Sequence, residues 1–504
     1  MRNISKYYSG VIALDKVDFR VEEGEIHGLV GENGSGKSTL VKIITGVVQP
    51  EEGAIIEIKG ERVHNLTPFE AFKRGIHVVH QDLSLFPNLS VAENIVSHLY
   101  LEKKNSFINL AKVRKQAHEV LRKLDLDMDL DAIVGDLRIA DQQLVAICRA
   151  IASDAKMLIL DEPTSSLTWR EVERLFHFIN SLKKRGISVI FISHRLSEVL
   201  EISDKVTVLR NGVNVGTFSK EELDENRLVS LMTGKSIIFQ KKMKSVENRE
   251  VILKIENLTR KGQYENINFS LYKGEILGII GPRGSGRTEL ATSLFGLNPP
   301  DSGKIFFEGK EVKIKNNMEA VKLGIAYVPE NRILQGLVLD HSIENNIAIT
   351  NLGKISNKYG LIDKDLKRSL SIEALKEFRI KAQDVELAVK TLSGGNQQKV
   401  VLAKWILTSP KILILDSPTN GIDVGAKESI HNLIKELAEK GMSIILISDE
   451  ESEVLYNCSR IIVMKEGKIL GEYNPESLSE KSLRKIIQQV GENGDQEKSF
   501  EQIN

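Results

Sequence analysis

Glu25-Ile-His-Gly-Leu-Val-Gly-Glu-Asn-Gly-Ser-Gly-Lys-Ser38 is the stretch whose reading decides the fold. Residues 25–30 form a short run rich in apolar residues, as a buried strand requires. The next eight residues fit G-x-x-x-x-G-K-[ST], and residues 38–45 continue as a helical pattern. Strand, glycine-rich turn and helix form the context in which this pattern cradles phosphate. The glycines let backbone N–H groups close around phosphate oxygens, and the helix N-terminus adds its dipole. Gly31, Glu32, Asn33, Gly34, Ser35, Gly36, Lys37, Ser38 and Thr39 are therefore the expected nucleotide-binding residues. Lys37 should reach the β- and γ-phosphates, and the Ser38 hydroxyl should bind Mg²⁺.

The same stretch is written twice. Glu275-Ile-Leu-Gly-Ile-Ile-Gly281 repeats residues 25–31, Ile412-Leu-Ile-Leu-Asp416 repeats Met157-Leu-Ile-Leu-Asp161, and Leu392 to Val400 repeats Leu137 to Val145. A period of roughly half the chain is far too long for a solenoid. The expected organisation is a first domain over 1–234, a polar linker over 235–250, a second domain over 251–490 and a polar tail over 491–504. Within each half, β-branched runs such as 157–160 and 188–192 alternate with helical stretches such as 142–153 and 170–184. That pattern predicts an α/β fold with a mostly parallel sheet. Residues 89–139 form a helical insert, with apolar positions Val113, Ala117, Val120, Leu121 and Leu124 on one stripe.

A second chemical element follows the run Met157–Leu160. Asp161 and Glu162 stand at the C-terminal end of that strand, where open α/β sheets bind ligands. Asp161 should hold Mg²⁺ and Glu162 should polarise the attacking water. A carboxylate pair can also cap a turn, but beside a phosphate loop the catalytic reading is favoured.

Composition narrows the function classes. The 504 residues carry 69 Lys+Arg and 69 Asp+Glu, so bulk positive charge does not support nucleic-acid binding. The cysteines, Cys148 and Cys458, exclude a disulfide scaffold and a four-cysteine metal site. No apolar run approaches the roughly 20 residues of a membrane span, and the N-terminal segment MRNISKYYSG lacks a signal peptide's apolar core. The expected location is the cytoplasmic side, with any membrane role exercised through a partner.

The segments 31–38, 158–164 and Leu392-Ser-Gly-Gly-Asn-Gln-Gln-Lys-Val400 resemble the ATP-binding cassettes of ABC transporters. The longer form Leu392 to Leu407 is similar to the subfamily that imports monosaccharides such as ribose, galactose, xylose and autoinducer-2, whose members also carry two cassettes in one chain. Residues 423–427 and 286–290 fit the same subfamily. The resemblance runs from Ile4 to about Ile487. It implies two tandem P-loop NTPase domains, each with a mostly parallel sheet core, a helical insert and an antiparallel β subdomain. Tyr8, or its neighbour Tyr7, matches the adenine-stacking aromatic. Gln81 matches the loop glutamine that touches Mg²⁺ and senses the membrane partner, and His194 matches the switch histidine at the γ-phosphate. Residues 165–168 match the loop that communicates between sites. In this family two cassettes pack head to tail, so each ATP lies between one phosphate loop and the other cassette's signature. The first loop would thus be completed by Ser393, Gly394, Gly395 and Asn396. The family usually has a full strand before Ile4; either the start lies upstream or the edge strand is short. Integral membrane permease subunits and an extracytoplasmic sugar-binding protein are implied partners, and ATP and Mg²⁺ the implied ligands.

The departures sort onto one composite site. In the second half, Gly281, Gly284, Gly286, Arg287 and Thr288 form the phosphate loop, with Arg287 where Lys is expected. Glu330 stands for Gln81, Ser417 for Glu162 and Asp449 for His194. The adenine loop is four residues shorter, so Tyr8 falls opposite Gly262 or Leu258. The signature donated to that site reads Leu137-Arg-Ile-Ala-Asp141, without the serine or the glycine pair. One hydrolytic site and one binding or structural site are expected. The alternatives are a nucleoside or other small-molecule importer, a ribosome-associated tandem cassette protein with a long charged arm, and a regulatory ATP-binding protein.

Overall fold

The computed structural model describes residues 1–8, 10–97, 109–165, 167–234 and 249–489. The chain divides into two compact units, Met1–Ile238 and Phe239–Asn504. Most of the expected linker, the whole of the expected tail and Ser166 of the communicating loop lie outside the described residues.

In the first unit the strands are β1 (Ile4–Tyr8), β2 (Val11–Val17), β3 (Ile26–Val30), β4 (Ile56–Ile58), β5 (Glu61–Val63), β6 (Ile76–Val79), β7 (Met157–Asp161), β8 (Ser188–Ile192), β9 (Lys205–Arg210) and β10 (Val213–Ser219). Six of them form one sheet in the order β10-β9-β3-β8-β7-β6. Neighbours from β9 through β6 run parallel, and β10 closes the edge antiparallel. β3 and β8 are buried at every position, as strands covered on both faces must be. β1 pairs with β2 and β4 with β5 in two small antiparallel sheets.

The second unit repeats this order. Its strands are β11 (Val251–Arg260), β12 (Tyr264–Tyr272), β13 (Ile276–Ile280), β14 (Ser302–Phe307), β15 (Lys310–Val312), β16 (Ile325–Val328), β17 (Ile412–Asp416), β18 (Ser443–Ser448), β19 (Arg460–Lys465) and β20 (Lys468–Tyr473). The main sheet runs β16-β17-β18-β13-β19-β20, and an antiparallel sheet runs β12-β11-β14-β15. The pleat divides its core into two clusters. Leu413, Leu415, Ile444 and Leu446 enter one, while Ile412, Ile414, Ile445 and Ile447 enter the other. Unbroken apolar runs are what a sheet with cores on both faces demands.

Register resolves where the two halves differ in length. Ile4 pairs with Val17 and Lys6 with Leu14, while Leu258 pairs with Ile267 and Arg260 with Tyr264. The four missing residues therefore belong to the hairpin tip, between Arg260 and Tyr264. β11 also runs well before Leu258, whereas β1 begins at Ile4, preceded by a single bridge from Arg2 to Ile55.

The helical insert of the first unit contains Val91–Ile95 and Leu110–Leu124, and the helix Ile139–Ala152 follows it. Val113, Ala117, Leu121 and Leu124 are buried along one face, with Val120 half-buried at the edge of the stripe. Among the described residues no helix is long and apolar enough to cross a membrane.

Candidate functional site

β3 ends at Val30, and the chain turns through Gly31 to Gly36 into the helix Lys37–Ile44. Gly36 has φ 102° and caps that helix in the left-handed region. A Cβ there would stand 2.5 Å from the Ala13 carbonyl oxygen. Both facts demand glycine, because an L side chain would be strained and would collide with backbone. Gly31 is similarly enclosed: a Cβ would meet the Leu209 carbonyl oxygen at 2.3 Å. The loop is thus pressed against β2 and β9, with its backbone fixed in shape.

Lys37 folds along the loop, donating to the carbonyl oxygens of Gly31 at 2.6 Å and Glu32 at 2.9 Å. Burial pulls its pKa down, against the opposing pull of Glu162, Asp161 and Glu32. Lysine and acidic pair therefore share one electrostatic site, which the sequence separates by more than a hundred residues. Burial, followed by the neighbouring Glu162 charge, raises the Asp161 pKa. A carboxylate so placed gains from a cation beside it. The oxygen donors of Asp161, Ser38 and Gln81 suit a hard divalent ion such as Mg²⁺. The Ser35 hydroxyl, 3% exposed, has no hydrogen-bond partner among the described residues and completes a polar cradle that fits phosphate.

Glu162 has φ 51°, a left-handed conformation rare for a side-chain-bearing residue, and its amide donates to the Ile192 carbonyl at 2.9 Å. Strain of this kind costs roughly 1–3 kcal/mol and gathers at functional sites. It joins the turn after β7 to the end of β8, where His194 lies. His194 Nδ1 stands 3.4 Å from Glu162 Oε1, and their hydrogen bond holds the Glu162 carboxyl below its usual range. Glu162 therefore remains an ionised acceptor. Gln81 is exposed and lines a cavity of about 390 Å³ with Glu162, Ile139 and Gln142. Tyr7 and Tyr8 extend the β1–β2 hairpin, both exposed, with Lys6 beneath the Tyr8 ring. The phosphate loop, Gln81, Asp161, Glu162 and His194 are thus all carried by the first unit.

Ser393, Gly394, Gly395 and Asn396 belong to the second unit, at the start of the helix Gly394–Ile406. Ser393 is the N-cap residue, and its hydroxyl accepts from Asn396 Nδ2 at 2.9 Å. A Cβ on Gly395 would lie 2.5 Å from the Ala426 Cβ, so glycine is required for the close approach. The corresponding helix of the first unit begins at Ile139, which is half exposed, with Arg138 as N-cap.

The second phosphate loop keeps the glycine geometry but not the chemistry. Gly284 and Gly286 are left-handed, and the Ser285 hydroxyl is again buried without a partner among the described residues. The Arg287 guanidinium is buried, donating to the Ser448 carbonyl and, at 3.5 Å, to Pro282. Burial lowers its pKa. Asp416 accepts from the Tyr327 hydroxyl at 3.2 Å and is bonded by the Thr288 side chain. Val78 occupies the matching place in the first unit, so the sequence comparison missed this tyrosine lock. Ser417 keeps the left-handed turn of Glu162, with φ 46°. Glu330 accepts from Asn420 at 3.3 Å, and Arg332 donates to the Asn420 carbonyl at 2.8 Å. Arg332 also escaped the sequence reading. So did Asn94 and Asn346, which bond the backbones at Phe86 and Val338 on both sides and fix the segments after Gln81 and Glu330.

Burial raises the Asp416 pKa to about 6. Between the unfolded value near 3.8 and about 6, the folded chain holds a proton that the unfolded chain has released. Native stability therefore falls as pH rises through this window, by on the order of 2–3 kcal/mol. Asp416→Asn abolishes the titration. The variant's melting temperature should gain on that of the wild type between pH 4.5 and pH 7.5, and its ATP turnover at pH 7.5 should remain within about twofold. A turnover collapse like that expected for Glu162→Gln would make the second unit catalytic.

Comparison with known proteins accords with this geometry. The ABC transporter family profile matches residues 14–165 and 264–420. The ribose import ATP-binding protein RbsA of Bacillus licheniformis is 41% identical over 96% of this chain and 98% of its own. The protein of the same name from Caldanaerobacter subterraneus is 42% identical over 97% and 98%. Among solved structures, a model of ribosome-bound archaeal Pelota and ABCE1 matches with TM-score 0.66 and 23% identity over 96% of this chain and 80% of that one, a likeness of fold alone. With the phosphate loop, the acidic strand end and both halves of the chain matched, this protein belongs to the ABC transporter family.

Proposed function

We propose that the chain is the ATP-hydrolysing subunit that energises import of a monosaccharide, with ribose the first candidate, through a separate membrane permease. The observation that carries the hydrolytic part is the meeting of Lys37, Asp161, Glu162 and His194 at one end of one sheet. The relatives, ribose import ATP-binding proteins, support the transport part. The competent site uses the first unit's phosphate loop and the signature residues Ser393–Asn396 of the second.

Bound Mg²⁺, held by Ser38, Asp161 and Gln81, would supply charge neutralisation at the phosphates. Lys37 and the loop amides bind and orient the γ-phosphate, Tyr8 or Tyr7 stacks on the base, and Ser393 with its helix N-terminus faces the developing charge. Glu162 orients the attacking water and accepts its proton, while His194 holds that carboxylate in place. Gly281, Gly284, Gly286, Arg287 and Thr288 form a second, non-hydrolytic phosphate site. The subunit works at the cytoplasmic face of the membrane, docking on the permease near Gln81, and an extracytoplasmic sugar-binding protein delivers the substrate.

The test is reconstitution with candidate permease and sugar-binding proteins from the same organism. Ribose-loaded binding protein should raise ATP turnover and drive ATP-dependent ribose uptake into vesicles. Turnover stimulated by a nucleoside and not by any sugar would favour the alternative small-molecule importer.

A further inference from the structure

Behind the catalytic pair lies a buried carboxylate that the hydrolytic chemistry does not use. Glu198 is 1% exposed. Its Oε2 accepts the Thr164 hydroxyl at 2.5 Å and the Ser193 hydroxyl at 3.1 Å, and its Oε1 pairs with Arg195 at 3.2 Å. Thr164 lies two residues after Glu162 in sequence, and Ser193 one residue before His194. One carboxylate oxygen therefore ties the turn carrying Glu162 to the turn carrying His194.

A buried carboxylate is expensive unless it is fully bonded. Apolar packing could join two turns at lower cost, but it would not fix a spacing through directional bonds. The second unit repeats the device with a different third partner. Glu453, 3% exposed, accepts from Thr419 at 2.9 Å and is bonded by Ser448, while His431 Nε2 lies in hydrogen-bond contact with it at 2.7 Å. The hydroxyl bonds recur and the third partner moves to another helix, so the hydroxyl bonds are the common element.

We propose that Glu198 is a positioning residue for hydrolysis: through Thr164 and Ser193 it sets the approach of Glu162 to His194, without touching nucleotide. The inference rests on Glu162 and His194 acting as described above. In the second unit, which has Ser417 and Asp449 at those places, the same link has no catalytic pair to align.

The test is steady-state ATPase kinetics and nucleotide titration on the full chain assembled with its permease. Glu198→Ala should lower kcat by about 10- to 100-fold, with KM and nucleotide affinity moving less than about threefold, the pattern of an interaction lost in the transition state. Glu198→Gln retains a carbonyl oxygen for both hydroxyls and should recover most of that loss. Thr164→Val is nearly isosteric and should lower kcat by about 10-fold, which keeps the test alive if Glu198→Ala fails to fold. Thr419→Val makes the same lesion where no catalytic pair exists and should leave kcat within about twofold. Loss of nucleotide affinity in step with kcat, full activity in Glu198→Ala or Thr164→Val, or an equal loss in Thr419→Val would each overturn the proposal. If Glu162→Gln remained active, the catalytic reading itself would fall; inactivity there with full activity in Glu198→Ala removes only this inference.

Discussion

Glu162→Gln should reduce ATP turnover by about 100-fold or more while ATP still binds. The substitution keeps the size of the side chain and removes its charge. Lys37, the glycine cradle and the helix N-terminus, which grip the phosphates, are untouched. Lost are the acceptor for the water proton and the ionised partner of His194, whose hydrogen bond holds the Glu162 carboxyl low. The left-handed turn at residue 162 is tolerated by serine at the equivalent place, so the backbone should persist in the variant. Nucleotide titration beside steady-state ATPase assays separates the two effects. Turnover at half the wild-type rate would end the one-site account, because the second unit would then be hydrolysing.

The second large effect concerns the signature. Ser393→Arg gives the second unit the residue found at Arg138 in the first. It removes a hydroxyl and places a bulky guanidinium at the N-terminus of the helix Gly394–Ile406. If the first phosphate loop is completed by this helix, kcat should fall by about 10²-fold or more, as for loss of a transition-state donor. The reciprocal Arg138→Ser should leave turnover within about twofold. The pair decides which signature serves the hydrolytic loop. Equal losses in both variants, or none in either, would refute the assignment.

Much of this was legible in the sequence because the chain carries its own control. Two copies of one fold allow each residue to be set against its twin, and Lys37/Arg287, Glu162/Ser417 and His194/Asp449 stand out without a structure. Strand order was legible only as a class, since pairing among six strands is fixed by packing of distant segments. The sequence could not reveal what replaced a lost function. Tyr327 reads as an ordinary strand aromatic until its hydroxyl is found on Asp416. Glu198 reads as a helix-surface carboxylate, because its partners lie 34 and 5 residues away and converge only in three dimensions. Asn94 and Asn346 were hidden for the same reason: a buried amide bonding backbone has no periodic signature. The reverse held for the hairpin, where sequence arithmetic found four missing residues and left their place open until strand register assigned them to the tip.

That hairpin bears on aromatic stacking. In the first unit the extended tip exposes Tyr7 and Tyr8, rings of the kind on which any base can stack. In the second the tip closes at Lys261, Gly262 and Gln263, with no ring to stack on, and Tyr264 turns inward to bond Ser293 at 2.7 Å. The two hairpins, alike in pairing, thus differ in what they present: the first exposes aromatic faces, and the second buries its ring in the core.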